Sequence, residues 1–129
     1  MDVVRPPVDP VDFDLECGAT SVRRARRWIT GNVLDLDQAK RLDLLLIADA
    51  LVTNAFEHAG SPRRLRLSRR GDLRVVRVEV LDASPELLPV LGRPGSLRHR
   101  GLRLVNRLAS RWGVDPRPEY KSVWGEVVA

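Results

Sequence analysis

From residue 11 the chain alternates apolar Val11, Phe13 and Leu15 with acidic Asp12, Asp14 and Glu16. That period of two predicts a half-buried strand running to Cys17. Gly18-Ala19-Thr20-Ser21 ends it and offers a hydroxyl N-cap. Val22, Ala25 and Ile29 then recur at helical spacing with Trp28 beside them, and Arg23, Arg24, Arg26 and Arg27 fill the other faces. Asp35-Leu36-Asp37 reads as the entry to a second helix carrying Leu42, Leu45, Ala48, Val52, Ala55, Phe56 and Ala59. Its apolar residues occupy more than one side, which predicts a helix at the centre of a domain. Gly60-Ser61-Pro62 stops it.

Residues 63–69 and 73–81 alternate again, joined by the hairpin signal Arg70-Gly71-Asp72, with Leu65, Leu67, Val75 and Val78 available for a buried face. Asp82 to Arg100 holds prolines, glycines and serines without period, which predicts an irregular loop of functional character. Helical spacing resumes over 101–112 through Leu102, Val105, Leu108, Ala109 and Trp112, with Gly113 as its stop. A short strand and then a final strand over 122–128 complete the order. Helices grouped against an antiparallel or mixed sheet make an α/β sandwich.

The length of 129 residues fits one domain, here 11–129, preceded by a proline-containing arm over 1–10. Hydrophobic residues at 43% and charged residues at 30% are those of an ordinary globular chain. No apolar run nears the roughly 20 residues of a membrane span, and the first residues hold no signal-peptide core, so a cytoplasmic location is the default expectation. Cys17 stands alone and reads as a small buried hydrophobe; no Cys/His cluster points to zinc. The net charge is +5 and only Lys40 and Lys121 are lysines. Arginine-rich, lysine-poor composition also arises from a high-GC genome, so the charge weighs little for nucleic acid, and no helix-turn-helix pattern accompanies it. The arginine helix is either a solvated face or a docking surface for an acidic partner.

Three places carry candidate chemistry. Asn54 and His58 lie four apart on one helix face, able either to bond neighbouring backbone and cap the helix end, or to meet a ligand. Asp82, at a strand end, either forms a turn or accepts a hydrogen bond from an amine such as that of adenine. Arg100-Gly101-Leu102 opens a helix directly after the long loop, where free N–H groups favour phosphate. In this order they could enclose a nucleotide under a lid.

At these residues the chain resembles the anti-sigma-factor serine-kinase branch of the GHKL (histidine-kinase-like) ATPase superfamily, in its actinomycete form. Leu51-Val52-Thr53-Asn54-Ala55-Phe56-Glu57-His58-Ala59 looks like the N box. Val78-Glu79-Val80-Leu81-Asp82-Ala83-Ser84-Pro85 looks like the first glycine box in its Ser-Pro variant, and Arg100-Gly101-Leu102-Arg103-Leu104-Val105 like the second. Lys121-Ser122-Val123-Trp124 is similar to the closing strand. The resemblance covers residue 11 to the end. It implies a Bergerat-type two-layer α/β sandwich with a mixed, mostly antiparallel sheet and three main helices on one face. It further implies ATP or ADP under a lid, Asn54 on Mg2+, Asp82 on the adenine, and His58, Arg100, Gly101 and Leu102 along the nucleotide. Its proteins act by partner switching in transcriptional control, holding a sigma factor or phosphorylating an anti-sigma antagonist, and commonly dimerise.

Two departures change what is expected. The family's general-base glutamate is Ala50 here, and alanine cannot accept a proton. Asp49 lies about 100° away around the helix, and Glu57 about 20° away in angle but roughly 10 Å along the axis. A lost base costs a factor of about 10² to 10⁴ in rate. His99 stands where the second glycine box usually has its first glycine, which limits close backbone approach to phosphates. The sequence therefore predicts an ATP-binding regulatory protein with impaired kinase activity. Its alternatives are an active serine kinase with Asp49 or Glu57 as relocated base, and a nucleotide-free interaction module using the 23–27 or final helix.

Overall fold

The computed structural model describes residues 9–16, 19–58, 63–72, 74–85 and 100–129. Five strands, β1 (Val11–Leu15), β2 (Arg63–Arg70), β3 (Val75–Asp82), β4 (Arg111–Pro116) and β5 (Lys121–Val128), accompany three helices, α1 (Ala19–Asn32), α2 (Gln38–His58) and α3 (Arg100–Leu108). The strands form one sheet in the order β1-β2-β3-β5-β4. Every pairing among them is antiparallel, so the parallel component that a mixed sheet allowed is not seen among the described residues. Most of the 1–10 arm, Cys17, the stop over 60–62 and the loop over 86–99 with His99 lie outside the described residues.

The alternation in the strands assigns their faces. Val11, Phe13 and Leu15 of β1, Leu65 and Leu67 of β2, Val76, Val78 and Val80 of β3, and Val123 and Val127 of β5 point to the helices and form the core with Ala25, Ile29, Leu44, Ile47, Leu51, Val52 and Ala55. Phe13 meets Trp28 of α1 with ring centroids 5.5 Å apart. Val75 is a correction to the sequence reading: three positions from Val78, it must face the other way, and it is half-buried on the open face.

Helix α2 is the central helix. Asp37 caps its start, its Oδ1 accepting the Lys40 N–H at 2.8 Å. It packs against α1, α3, β3 and β5, which explains why its apolar residues are not confined to one stripe. Leu42 is again a correction: it is 52% exposed, while Leu44, about 200° further around the helix, is fully buried. The hydroxyl expected to cap α1 has another task. Ser21 lies inside the first turn, and its Oγ accepts the Glu16 N–H at 3.1 Å, fastening the end of β1 to α1. The hairpin forms as expected, with Gly71 and Asp72 both at positive φ (62° and 57°), the conformation that Gly and Asp adopt most readily.

Helix α3 ends at Leu108, four residues before the predicted end. Ser110 gives its N–H to the carbonyl of Glu126 at 2.8 Å, and the chain turns there into β4. Trp112 and Gly113 are therefore strand residues. Gly113 is not a helix stop; a Cβ there would meet the Trp124 ring at 2.9 Å. Trp124 is in turn covered by the Arg77 guanidinium, 3.9 Å from its centroid.

The open face of the sheet is charged and internally paired. Arg66 grips Asp12 through two bonds of 2.7 and 3.1 Å. Glu126, fully buried, receives Arg70 and Arg77 at 2.7 and 2.9 Å. Burial pushes the Glu126 carboxyl up, but the hydrogen bonds from Arg70 and Arg77 outweigh it and hold it below its ordinary value. Asp12 is lowered first by its bond from Arg66. Both groups bind protons less readily in the folded chain, so their contribution is present above the ordinary carboxylate range and lost as pH falls through the folded values. We expect the urea midpoint to fall between about pH 5 and pH 3, and Glu126→Gln to flatten that slope; an equal slope in the variant would refute the assignment.

Candidate functional site

Of the predicted site residues, Asn54 and Asp82 are brought near each other through Arg63. Arg63 opens β2 directly opposite Asp82, the last residue of β3. Its Nε donates to the carbonyl of Ala55 at 3.3 Å, and its guanidinium lies 5.2 Å from the Phe56 ring. Asp82 is thus tied to the turn of α2 that carries Asn54. Asn54 is half-buried, and its amide makes no hydrogen bond among the described residues. His58 is the last residue of α2 and Arg100 the first of α3. Gly101 lies in the first turn of α3, where helical N–H groups lack partners within the helix. The side chain of Leu102 faces inward. It is 1% exposed and packs in the core with Val105.

At the position of the expected base the chain carries a methyl group in place of a carboxylate. Ala50 is 8% exposed and part of the hydrophobic core. Asp49 points to α1, where its carboxylate meets Arg26 at 3.6 Å. Burial raises the Asp49 carboxyl, and the Arg26 charge only partly offsets this. Glu57 is exposed near the end of α2. Among the described residues no group of three or more His, Cys, Asp or Glu side chains is placed to hold a metal. Mg2+ demands six hard oxygens and is usually bound through carboxylates plus phosphate, so the single Asn54 amide would be a minor share of its shell.

Asp82 has a partner that the sequence reading missed. It stands opposite Lys121 across β3 and β5, on the face toward the helices. The Lys121 ammonium lies 2.9 Å from Asp82 Oδ1 and 2.7 Å from the Ser84 carbonyl, and both side chains are 2% exposed. The Ser84 N–H also donates to Oδ1, at 2.8 Å. The signal was present in the alternation of the last strand: Lys121 shares its parity with Val123, Gly125 and Val127, so it had to point inward. A lysine forced inward needs an acid, and Asp82 is the one in register. Asp82 contributes to a recess of about 360 Å3 together with Arg63, Arg64, Leu81, Ala83 and Tyr120. Arg64 and Arg66, which also line it, are already paired with Asp12 and Asp14. No helix among the described residues is long and apolar enough to cross a membrane.

No family model matches the chain, and no curated protein matches it in sequence. Its fold does have solved counterparts. One is the structure of the RsbU and RsbW domains of Rv1364c from Mycobacterium tuberculosis, matched with a TM-score of 0.67 and 19% identity over 95% of this chain. The chain spans about a third (33%) of the length of that solved chain. A second is the SiaB–SiaC complex from Pseudomonas aeruginosa, with a TM-score of 0.60 and 13% identity over 91% of this chain and 89% of the other. The chain therefore has the α/β sandwich fold of these proteins, the architecture that its motif resemblance implied.

Proposed function

We propose that the chain is a regulatory module that works by holding a protein partner, a sigma factor or an anti-sigma antagonist, and transfers no phosphate. Its carrying observation is the buried methyl of Ala50 where the resembling kinases place their base, with Asp49 turned away onto Arg26. A serine hydroxyl brought to this helix would meet no proton acceptor there. The fold is shared with a chain of the SiaB–SiaC complex, which supports a role in protein–protein association. An active kinase with Asp49 as relocated base is disfavoured by that same salt bridge.

The test pairs two measurements on the intact chain. Calorimetric titration against the sigma factors and anti-sigma antagonists of the source organism should find one that binds with a stoichiometry near one. Mass spectrometry of that complex, incubated with Mg2+ and ATP, should find no phosphoserine. Phosphoserine on the partner would overturn the non-catalytic half of the proposal. Absence of binding to every member of the set would overturn the partner half.

A further inference from the structure

A buried carboxylate at the end of a strand accepts hydrogen bonds from whichever donor reaches it. In the resembling kinases that donor is expected to be the exocyclic amine of adenine. Here Asp82 Oδ1 already takes two donors, the Lys121 ammonium and the Ser84 N–H. The same ammonium also holds the Ser84 carbonyl, so strand β3 is tied to its own exit by a three-membered clamp. The two ends come from separate strands, 39 residues apart in sequence.

We propose that Lys121 is an internal substitute for the adenine amine, seated on Asp82 and closing this fold to adenine nucleotides. The chemistry favours the lysine. A charged donor on a carboxylate bonds more strongly than a neutral amine does. The lysine is covalently attached, so it loses no translational freedom on binding. An entering adenine would have to break the buried pair and leave the ammonium without its carboxylate. That loss amounts to roughly two to three powers of ten in dissociation constant. The other inward residues of β5 are Val123, Gly125 and Val127, so Lys121 brings its one inward charge to Asp82. The disagreement with the expected ATP site thus lies at the base-reading end. The inference is independent of which protein the chain holds, since it is read with nucleotide alone.

The experiment titrates ADP and adenosine, separately, into the native chain and into Lys121→Ser and Lys121→Ala. The native chain should show neither calorimetric heat nor a thermal shift at about 5 mM ligand. A folded Lys121 variant should bind ADP and adenosine at least about tenfold more tightly, and Asp82→Asn in that background should abolish the gain. Submillimolar binding by the native chain, or folded Lys121 variants that bind no better than it, would overturn the proposal. Should both variants fail to fold, the native Lys121 ammonium itself decides. Its 15N–1H resonance should be protected from exchange and unmoved by ADP; a shift or loss on adding ADP would mean that nucleotide displaces the lysine.

Discussion

Replacing Lys121 with methionine is expected to cost about 3–5 kcal/mol of folding stability. For a chain of this length that corresponds to a fall in Tm on the order of 10–20 °C. The loss comes less from the missing bond than from what remains. Asp82, 3% exposed, would keep its charge in the interior without the ammonium, facing the Ser84 N–H. Asp82→Leu combined with Lys121→Met removes both charges and should be less destabilised than the sum of the single changes. It will not be neutral, because the N–H and carbonyl of Ser84 lose their partners, at about 1–3 kcal/mol for each group that solvent fails to reach. Urea melts of the two single variants and the double variant make the cycle. A sum that is simply additive would show that Asp82 and Lys121 do not act as a pair.

The parts of this fold that could be read from the sequence are those set by local chemistry. The Asp37 cap, the Gly71-Asp72 turn and the period of the strands all act within a few residues, and each leaves its mark on composition. The end of α3 could not be read in this way. Leu108, Ala109 and Trp112 keep helical spacing, yet the competing partner is Glu126, sixteen residues beyond Ser110, whose carbonyl takes the Ser110 N–H and starts β4. Strand pairing overrode local propensity there. The candidate site divides along the same line. Asn54 and Asp82 were visible because a polar residue amid apolar ones needs a reason. What Asp82 bonds was not visible without the β3–β5 register, which places Lys121 opposite it. Parity alone showed that Lys121 faces inward, but not toward what. Glu126 is the converse case. It lies on the open face, yet it is fully buried and paired with Arg70 and Arg77 from β2 and β3.

Gly125 tests how α2, and with it Asn54, is seated on the sheet. Gly125 lies on the inward face of β5, and a Cβ placed on it would come 2.8 Å from Ile47 Cγ2. Val105 of α3 and Ala109, just past its end, stand behind at 3.6 and 3.7 Å, so α2 and α3 both close on this one bare backbone position. In a strand free of such contact, Gly→Ala is favourable by about 0.5–1 kcal/mol, because alanine has less backbone freedom to lose. Here the sign should reverse. The β-branched Ile47 has little rotameric freedom on a helix, so α2 itself must move away from β5. Gly125→Ala is therefore expected to destabilise the fold by about 1–3 kcal/mol, the ordinary cost of overpacking. Ile47→Ala alone should cost about 2–5 kcal/mol through the cavity that it leaves. Together they should cost less than their sum by about 1 kcal/mol or more, since the new methyl enters space that Ile47 has vacated. Additive losses, or a stabilising Gly125→Ala, would mean that α2 does not lie on β5 as described. The coupled result would establish that the helix carrying Ala50 and Asn54 is held at a fixed height above the strand that begins at Lys121.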